Sequence, residues 1–264
     1  MYQVNYHRAT SVADAAAKAS GEAKYLSGGM TLIPAMKTRL AAPSDVIDLA
    51  HIKEMKGIKV SGRTVTIGAG TTHFEVANNA ELKNLCPALC HLAGMIGDPH
   101  VRHRGTIGGS IANNDPAADY PSAMLALDAT IATNTRKVSA GDFFTGLFET
   151  ALEDGEIVTS VSFNAPAKAG YAKFPNPASR YALTGVFVAN GDAGVRVAVT
   201  GAGDGGVFRA EDIEAALAKS FDAASLNDVT VSPANLMSDL HASSEYRANL
   251  VKVMAKRAVA AANG

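Results

Sequence analysis

Two glycine pairs set among hydroxyl residues constrain this chain most: Ser27-Gly28-Gly29-Met30-Thr31 and, well downstream, Gly105-Thr106-Ile107-Gly108-Gly109-Ser110. Glycine allows backbone conformations and close approaches that a Cβ forbids. The first pair falls between a predicted short strand, Lys24-Tyr25-Leu26, and a predicted helix over 31–40. Leu32, Ile33, Met36 and Leu40 recur there at helical spacing. The N–H groups of such a turn and of the helix start face one point, an arrangement that holds phosphate with fixed backbone dipoles. The second pair reads as a loop over 105–113, a second nest with two hydroxyls. Asn113 and Asp119 follow within reach. Taken singly each pair is weak, because Gly-Gly between strand and helix is more often a plain turn. Neither matches G-x-G-x-x-G or a Walker P-loop. The run Gly201-Ala202-Gly203-Asp204-Gly205-Gly206 follows a strand but opens no helical pattern, and reads as a flexible loop.

The remaining pattern divides the chain into three. Residues 1–56 form a small α/β unit, with a helix opened by Ser11 as N-cap and Asp14 in its first turn, and a strand at Asp45-Val46-Ile47-Asp48-Leu49. Residues 57–165 carry strands at 65–69, 129–133 and 156–163. Their helices run from the Thr71-Thr72 cap to about Asn79, over 81–96, and over 121–127. Phe143 and Phe144 begin a loop-rich stretch. A Pro/Ala/Gly-rich junction at 165–170 leads to 166–264, an α+β unit with strands at 181–189 and 195–200 and helices over 210–219 and 245–262.

Composition removes several function classes. Lys plus Arg is 24 against 25 acids, so no basic surplus points to nucleic acid or an anionic membrane. No apolar run approaches the roughly 18 residues of a membrane span. The polar N-terminus, Met1 to Arg8, gives no signal peptide. The expected compartment is the cytoplasm, with room for peripheral association at the inner face of the membrane. The two cysteines, Cys86 and Cys90, fall on one face of the helix predicted over 81–96 and read as buried thiols. Two thiolates cannot hold an iron–sulfur cluster, which needs about four.

Longer stretches carry a resemblance. Ser27-Gly28-Gly29-Met30-Thr31-Leu32-Ile33-Pro34-Ala35-Met36-Lys37-Thr38-Arg39 resembles the first FAD loop of the medium subunits of molybdenum hydroxylases, carbon monoxide dehydrogenase-like and xanthine dehydrogenase-like. The stretch from Ile96-Gly97-Asp98-Pro99 through Ile111-Ala112-Asn113, continued by Asp115-Pro116-Ala117-Ala118-Asp119-Tyr120-Pro121, resembles the second. Phe174-Pro175-Asn176-Pro177-Ala178-Ser179-Arg180-Tyr181-Ala182 and Asp239-Leu240-His241-Ala242-Ser243-Ser244-Glu245-Tyr246-Arg247 are similar to that family's C-terminal domain.

The resemblance implies an α+β chain: a vanillyl-alcohol oxidase/p-cresol methylhydroxylase-type FAD-binding domain of two α/β subdomains, then a small α+β C-terminal domain. It implies non-covalent FAD, since neither loop offers a His or Cys for attachment. Lys24, Tyr25, Leu26, Ser27, Gly28, Gly29, Met30, Thr31 and Leu32 would wrap the pyrophosphate and ribityl chain. Ile96, Gly105, Thr106, Ile107, Gly108, Gly109 and Ser110 would form the other wall. Asn113, Ala118 and Asp119 would extend it, Asp119 accepting from sugar or adenine donors. Val158 would pack on the cofactor, and Lys173 would sit by the isoalloxazine, where a cation stabilises reduced flavin. Ser110 stands where many relatives carry Asp or Asn.

The family further implies an oxidoreductase complex with labour divided. A large subunit with the molybdenum–pterin cofactor oxidises substrate, and a small subunit carries two 2Fe–2S clusters. This chain would pass electrons through FAD to an external acceptor, in a dimer of heterotrimers. Two other readings stand beside it: a self-contained FAD-dependent reductase or oxidase of the same fold, and a non-catalytic assembly subunit. Of the remaining polar groups, His100, Arg102, His103 and Arg104 read as a solvated face or a strip contacting the iron–sulfur subunit. A metal site from His100 and His103 lacks a third ligand. Lys37 and Arg39 could touch phosphate, and Tyr171 and Tyr181 could shield the flavin.

Overall fold

The computed structural model describes residues 1–264. Near the N-terminus, β1 (Asn5–Arg8), α1 (Val12–Lys18), β2 (Lys24–Leu26), α2 (Leu32–Lys37) and β3 (Asp45–Asp48) build a three-stranded parallel sheet in the order β1-β3-β2. Ser11 caps α1, its hydroxyl accepting from the Asp14 N–H. The helix expected over 31–40 ends early. Arg39 takes a left-handed conformation (φ 64°), and the N–H groups of Leu40 and Ala41 turn back to the Ala35 carbonyl. This is a left-handed stop of the kind usually built on glycine. Leu40 is left 86% exposed, so its place in the helical spacing is coincidental.

The middle of the chain holds a five-stranded antiparallel sheet. Its strands are β4 (Ile58–Ser61), β5 (Thr64–Gly68), β6 (Thr130–Thr133), β7 (Lys137–Ser139) and β10 (Val158–Asn164), in the order β4-β5-β10-β6-β7. Between them come α3 (His73–Asn78), α4 (Ala80–Leu85), α5 (Pro87–Gly94), α6 (Pro99–Arg102), α7 (Ile107–Asn113), α8 (Tyr120–Ala126), α9 (Ala140–Phe143) and the hairpin β8 (Phe144–Gly146) and β9 (Glu149–Thr150). One sheet face buries Val65, Ile67, Ile131, Val161 and Phe163. The helices cover it with Leu89, Leu92, Ile107 and Ile111.

Two expectations fail here. The single helix over 81–96 is two, because Pro87 cannot continue α4 and instead opens α5 with Cys86 as its N-cap. Cys86 and Cys90 are both buried all the same, and burial pushes their thiols up to about 12 and about 11. The loop expected over 105–113 is helix α7, capped by Thr106, whose hydroxyl accepts from Gly109 N–H. The glycines in its first turn hid the Ile107/Ile111 spacing that buries it.

The last part is a four-stranded antiparallel sheet, β11 (Lys168–Pro175), β12 (Ala182–Gly191), β13 (Gly194–Thr200) and β14 (Phe208–Arg209), with α10 (Glu211–Lys219) and α11 (Ser244–Asn263). Its faces alternate. Tyr171, Phe187 and Ala198 enter the core shared with the preceding helices. Val186, Val188, Val197 and Val199 pack under Val251, Met254, Ala258 and Val259 of α11. Strand β11 was not legible, since Ala, Gly and Pro are poor strand formers. Gly170 shows why one is needed: a Cβ there would fall 1.9 Å from the Ala258 carbonyl oxygen of α11.

The 201–206 run is pinned rather than flexible. Gly201 N–H donates to the Pro116 carbonyl at 2.8 Å. The buried Arg247 guanidinium donates to the Gly201 and Leu183 carbonyls at 2.6 and 2.7 Å and to Asp239 at 2.8 Å.

Candidate functional site

The turn after β2 and the start of α7, distant in sequence, lie against each other. Ser27 Oγ and Thr106 Oγ1 are 2.8 Å apart. A Cβ on Gly28 would sit 2.1 Å from the Arg104 carbonyl oxygen and 2.7 Å from Gly105 Cα. Gly29 turns the chain with φ 75°. Gly109 is exposed, and a Cβ on it would come 3.8 Å from Ser27 Cβ. Gly28, Gly29 and Gly105 are buried, while Met30, Thr31 and Gly109 reach the surface.

The two walls differ in what they offer. The N–H groups of Ser27, Gly28, Gly29, Met30 and Thr31 make no hydrogen bond within the protein. Successive donors without protein partners are left open to water or to a ligand. The second wall keeps no such nest. Gly105 N–H donates to Val101 O, Ile107 to Thr71 O, Gly108 to Ala69 O, Gly109 to Thr106 Oγ1 and Ser110 to Thr106 O. Gly108 is required by packing, since its Cβ would lie 2.4 Å from that of Ala69. The second stretch therefore supplies shape and the half-buried side chains of Ser110 and Asn113, in place of the backbone donors expected of it.

The other predicted residues spread outward. Lys24 is exposed on β2, Tyr25 donates through its hydroxyl to the Gly155 carbonyl at 2.8 Å, and Leu26 and Leu32 are half-buried. Ile96 is half-buried, and Arg102 donates to its carbonyl and to that of Gly97 at 3.0 and 2.9 Å. The Ala118 carbonyl accepts from Thr200 at 2.6 Å. Val158 lies in the core at the start of β10.

Asp119 and Lys173 come together as a buried ion pair at 2.9 Å, with side chains 5% and 1% exposed. Tyr171 also donates to Asp119, so both carboxylate oxygens face protein donors where sugar or adenine donors were expected. Lys173 donates further to the Met95 carbonyl at 3.1 Å. Burial pushes the Asp119 carboxyl up, against Lys173 and Tyr171, which pull it down.

Tyr171 packs on Phe187 in the core, leaving Tyr181 as the exposed one of the pair proposed as shields. Arg39 lies over the Tyr2 ring, and Lys37 is exposed. His100 and His103 are exposed, the latter stacked on Phe74. No group of three His, Cys, Asp or Glu side chains converges to hold a metal ion.

Sequence reasoning missed His73 and the Arg104 carbonyl. His73 lies directly behind the second wall: its N–H donates to the Gly105 carbonyl at 2.9 Å, and a Cβ on Gly105 would meet its Nε2 at 2.5 Å. The Thr71-Thr72 cap located the helix, but nothing in the spacing said what that helix backs. Burial, with Arg102 nearby, lowers the His73 pKa from 6.5 to about 4. The unfolded chain therefore binds the extra proton first. Stability is expected to fall by about 3 kcal/mol as pH drops from 6.5 to about 4. His73→Gln should flatten that stretch of a denaturation-versus-pH curve, and an unchanged slope would refute the assignment.

Comparison with known proteins finds relatives over nearly the whole chain. Residues 2–166 match the family described as the FAD binding domain in molybdopterin dehydrogenase. The chain is 36% identical to the glyceraldehyde dehydrogenase medium chain of Sulfolobus acidocaldarius, over 97% of each chain. It is 34% identical to the carbon monoxide dehydrogenase medium chain of Afipia carboxidovorans, over 97% of this chain and 95% of that one. Among solved structures, the reconstituted CO dehydrogenase from Oligotropha carboxidovorans matches with a TM-score of 0.88 at 32% identity, covering 99% of this chain and 98% of that one. Quinoline 2-oxidoreductase from Pseudomonas putida 86 matches at 0.86 and 26%, covering 100% and 98%.

Proposed function

The chain belongs to the FAD-binding family of molybdopterin dehydrogenases, and from that premise we propose that it relays electrons from the 2Fe–2S clusters of a small partner subunit, through FAD, to an external acceptor. The medium-chain relatives are subunits of oxidoreductases. The observation that carries the cofactor's place is the turn at 27–31, with five unpaired N–H groups beside a glycine cradle closed by the Arg104 carbonyl. A pyrophosphate fits such a turn, because backbone dipoles bind it without a counter-charge.

In this reading Ser27, Gly28, Gly29, Met30 and Thr31 hold the pyrophosphate. Lys24 and Leu32 flank it. Thr106, Gly109, Ser110 and Asn113 form the facing wall. Bound FAD supplies the exchange of electrons, and the protein's own groups orient it and exclude water. The two cysteines, buried with raised pKa values, are protonated thiols poorly suited to holding a cluster. Substrate oxidation belongs to the large molybdopterin subunit, and the whole assembles as a dimer of heterotrimers. No helix is long and apolar enough to cross a membrane.

The test is to purify the chain alone and with its partner subunits, then follow the spectra of flavin and clusters during rapid mixing. Chemically reduced small subunit should pass electrons to the flavin of this chain. Aldehyde, carbon monoxide or N-heteroaromatic substrates should reduce it only when the large subunit is present. Turnover of any of these by the isolated chain, or clusters that stay reduced beside oxidised flavin, would sink the proposal.

A further inference from the structure

Tyr171 and Lys173 stand two apart on β11, so their side chains leave the same face of the strand. Both reach Asp119, which precedes α8. Lys173 goes on to the carbonyl of Met95, the residue that closes α5. From Met95 the chain runs to Gly105, and this segment is braced within itself. Arg102 holds the Ile96 and Gly97 carbonyls, Asp98 accepts from Val101 N–H at 2.9 Å, and Gly105 N–H donates to Val101 O at 2.7 Å. The Arg104 carbonyl at its end is the surface that Gly28 lies against. A path of direct contacts leads from the last sheet to both glycine walls.

We infer that Tyr171 is a positioning residue: its hydrogen bond to Asp119 keeps the Asp119–Lys173 pair closed, and through Lys173 on Met95 it holds segment 95–105 in register for the cofactor. The inference rests on reading the glycine walls as the FAD site. A buried carboxylate keeps its charge only while donors face it, and Tyr171 and Lys173 are the side chains that donate to Asp119. The other titratable groups around them are Tyr120, Tyr181, Asp115 and Cys90, with His73 beside Tyr120. None of these donates to Asp119.

The opposite strand is built for the phenol. A Cβ on Gly185 would lie 2.5 Å from the Tyr171 hydroxyl oxygen, so β12 carries glycine where that oxygen sits. Removing the hydroxyl withdraws one of the two side chains that lower the Asp119 pKa, and the carboxylate then takes up a proton at higher pH. A neutral Asp119 releases Lys173, and with it Met95.

Tyr171→Phe deletes one oxygen and keeps the ring on Phe187. In the assembled complex its FAD dissociation constant should exceed that of wild type, the gap widening to about tenfold as the pH falls. Hydrogen exchange of the full chain without FAD is read in parallel, corrected for intrinsic rates. Segment 95–105 should exchange faster in the variant at the acidic end only, and α11 should not change. Superposable exchange of 95–105 in the two proteins overturns the inference, as does equal loosening of α11, which marks a merely structural role. Faster exchange of 95–105 in a protein whose wild type takes up no FAD supports the lock and removes the cofactor reading instead.

Discussion

Gly28→Ala is expected to weaken FAD binding on the order of a hundredfold while most of the chain stays folded. The added methyl would stand 2.1 Å from the Arg104 carbonyl oxygen, 2.7 Å from its carbon and 2.7 Å from Gly105 Cα. All three are backbone atoms, so no side chain can swing away, and one wall must move off the other. Overpacking of this kind costs about 1–3 kcal/mol in stability. The larger effect falls on the ligand, because the donors of 27–31 are displaced from the facing wall. Losing about 3 kcal/mol of binding weakens affinity on the order of a hundredfold or more. Gly94→Ala is the matched control: it lies in α5 with nothing within 4 Å of its Cβ, so it should be neutral or slightly stabilising. Flavin content after dialysis and thermal melting of both variants decide the matter. Gly28→Ala retaining its flavin would show that the two walls do not share one ligand.

The same geometry redistributes the duties of the glycines. Read from sequence, Gly28, Gly29, Gly105, Gly108 and Gly109 all look like phosphate contacts. In the structure Gly28 lets the two walls touch, Gly105 makes room for His73, Gly108 seats α7 on Ala69, and Gly29 makes the turn. A glycine needed for close packing and one needed for ligand approach leave the same letter in a sequence. What distinguishes them is whether their N–H groups are used, which depends on partners such as Val101 and Ala69 that no local pattern names.

Strongly patterned elements were legible for the opposite reason. Caps at Ser11 and Thr72 act within four residues and are legible in the sequence. Strand β12 is buried along most of its length and its apolar run shows it. Strand β11 depends on β12 and α11 to exist at all, and α5 is separated from α4 by a single proline. The Asp119–Lys173 pair was named as two separate residues, each assigned to the cofactor. Their separation along the chain hides that they meet each other first.

That meeting sets up the second large effect. Lys173→Met should cost about 3–5 kcal/mol, because it leaves the Asp119 carboxylate buried without its counter-charge. Adding Asp119→Asn should restore much of that loss, since an apolar and an amide side chain replace a closed ion pair with no stranded charge. Chemical denaturation of wild type, both single variants and the double closes the cycle. A double variant no more stable than Lys173→Met would mean the pair is not coupled, against its 2.9 Å geometry. Flavin content of the same four proteins separates two duties for the lysine. If the double variant regains stability with FAD binding lowered only about tenfold, Lys173 serves the cofactor by bracing Met95, a contact that methionine cannot make. If it regains stability but takes up no FAD, the ammonium itself meets the flavin. The side chain is 1% exposed and already spends two donors on protein, so the first outcome is the one expected.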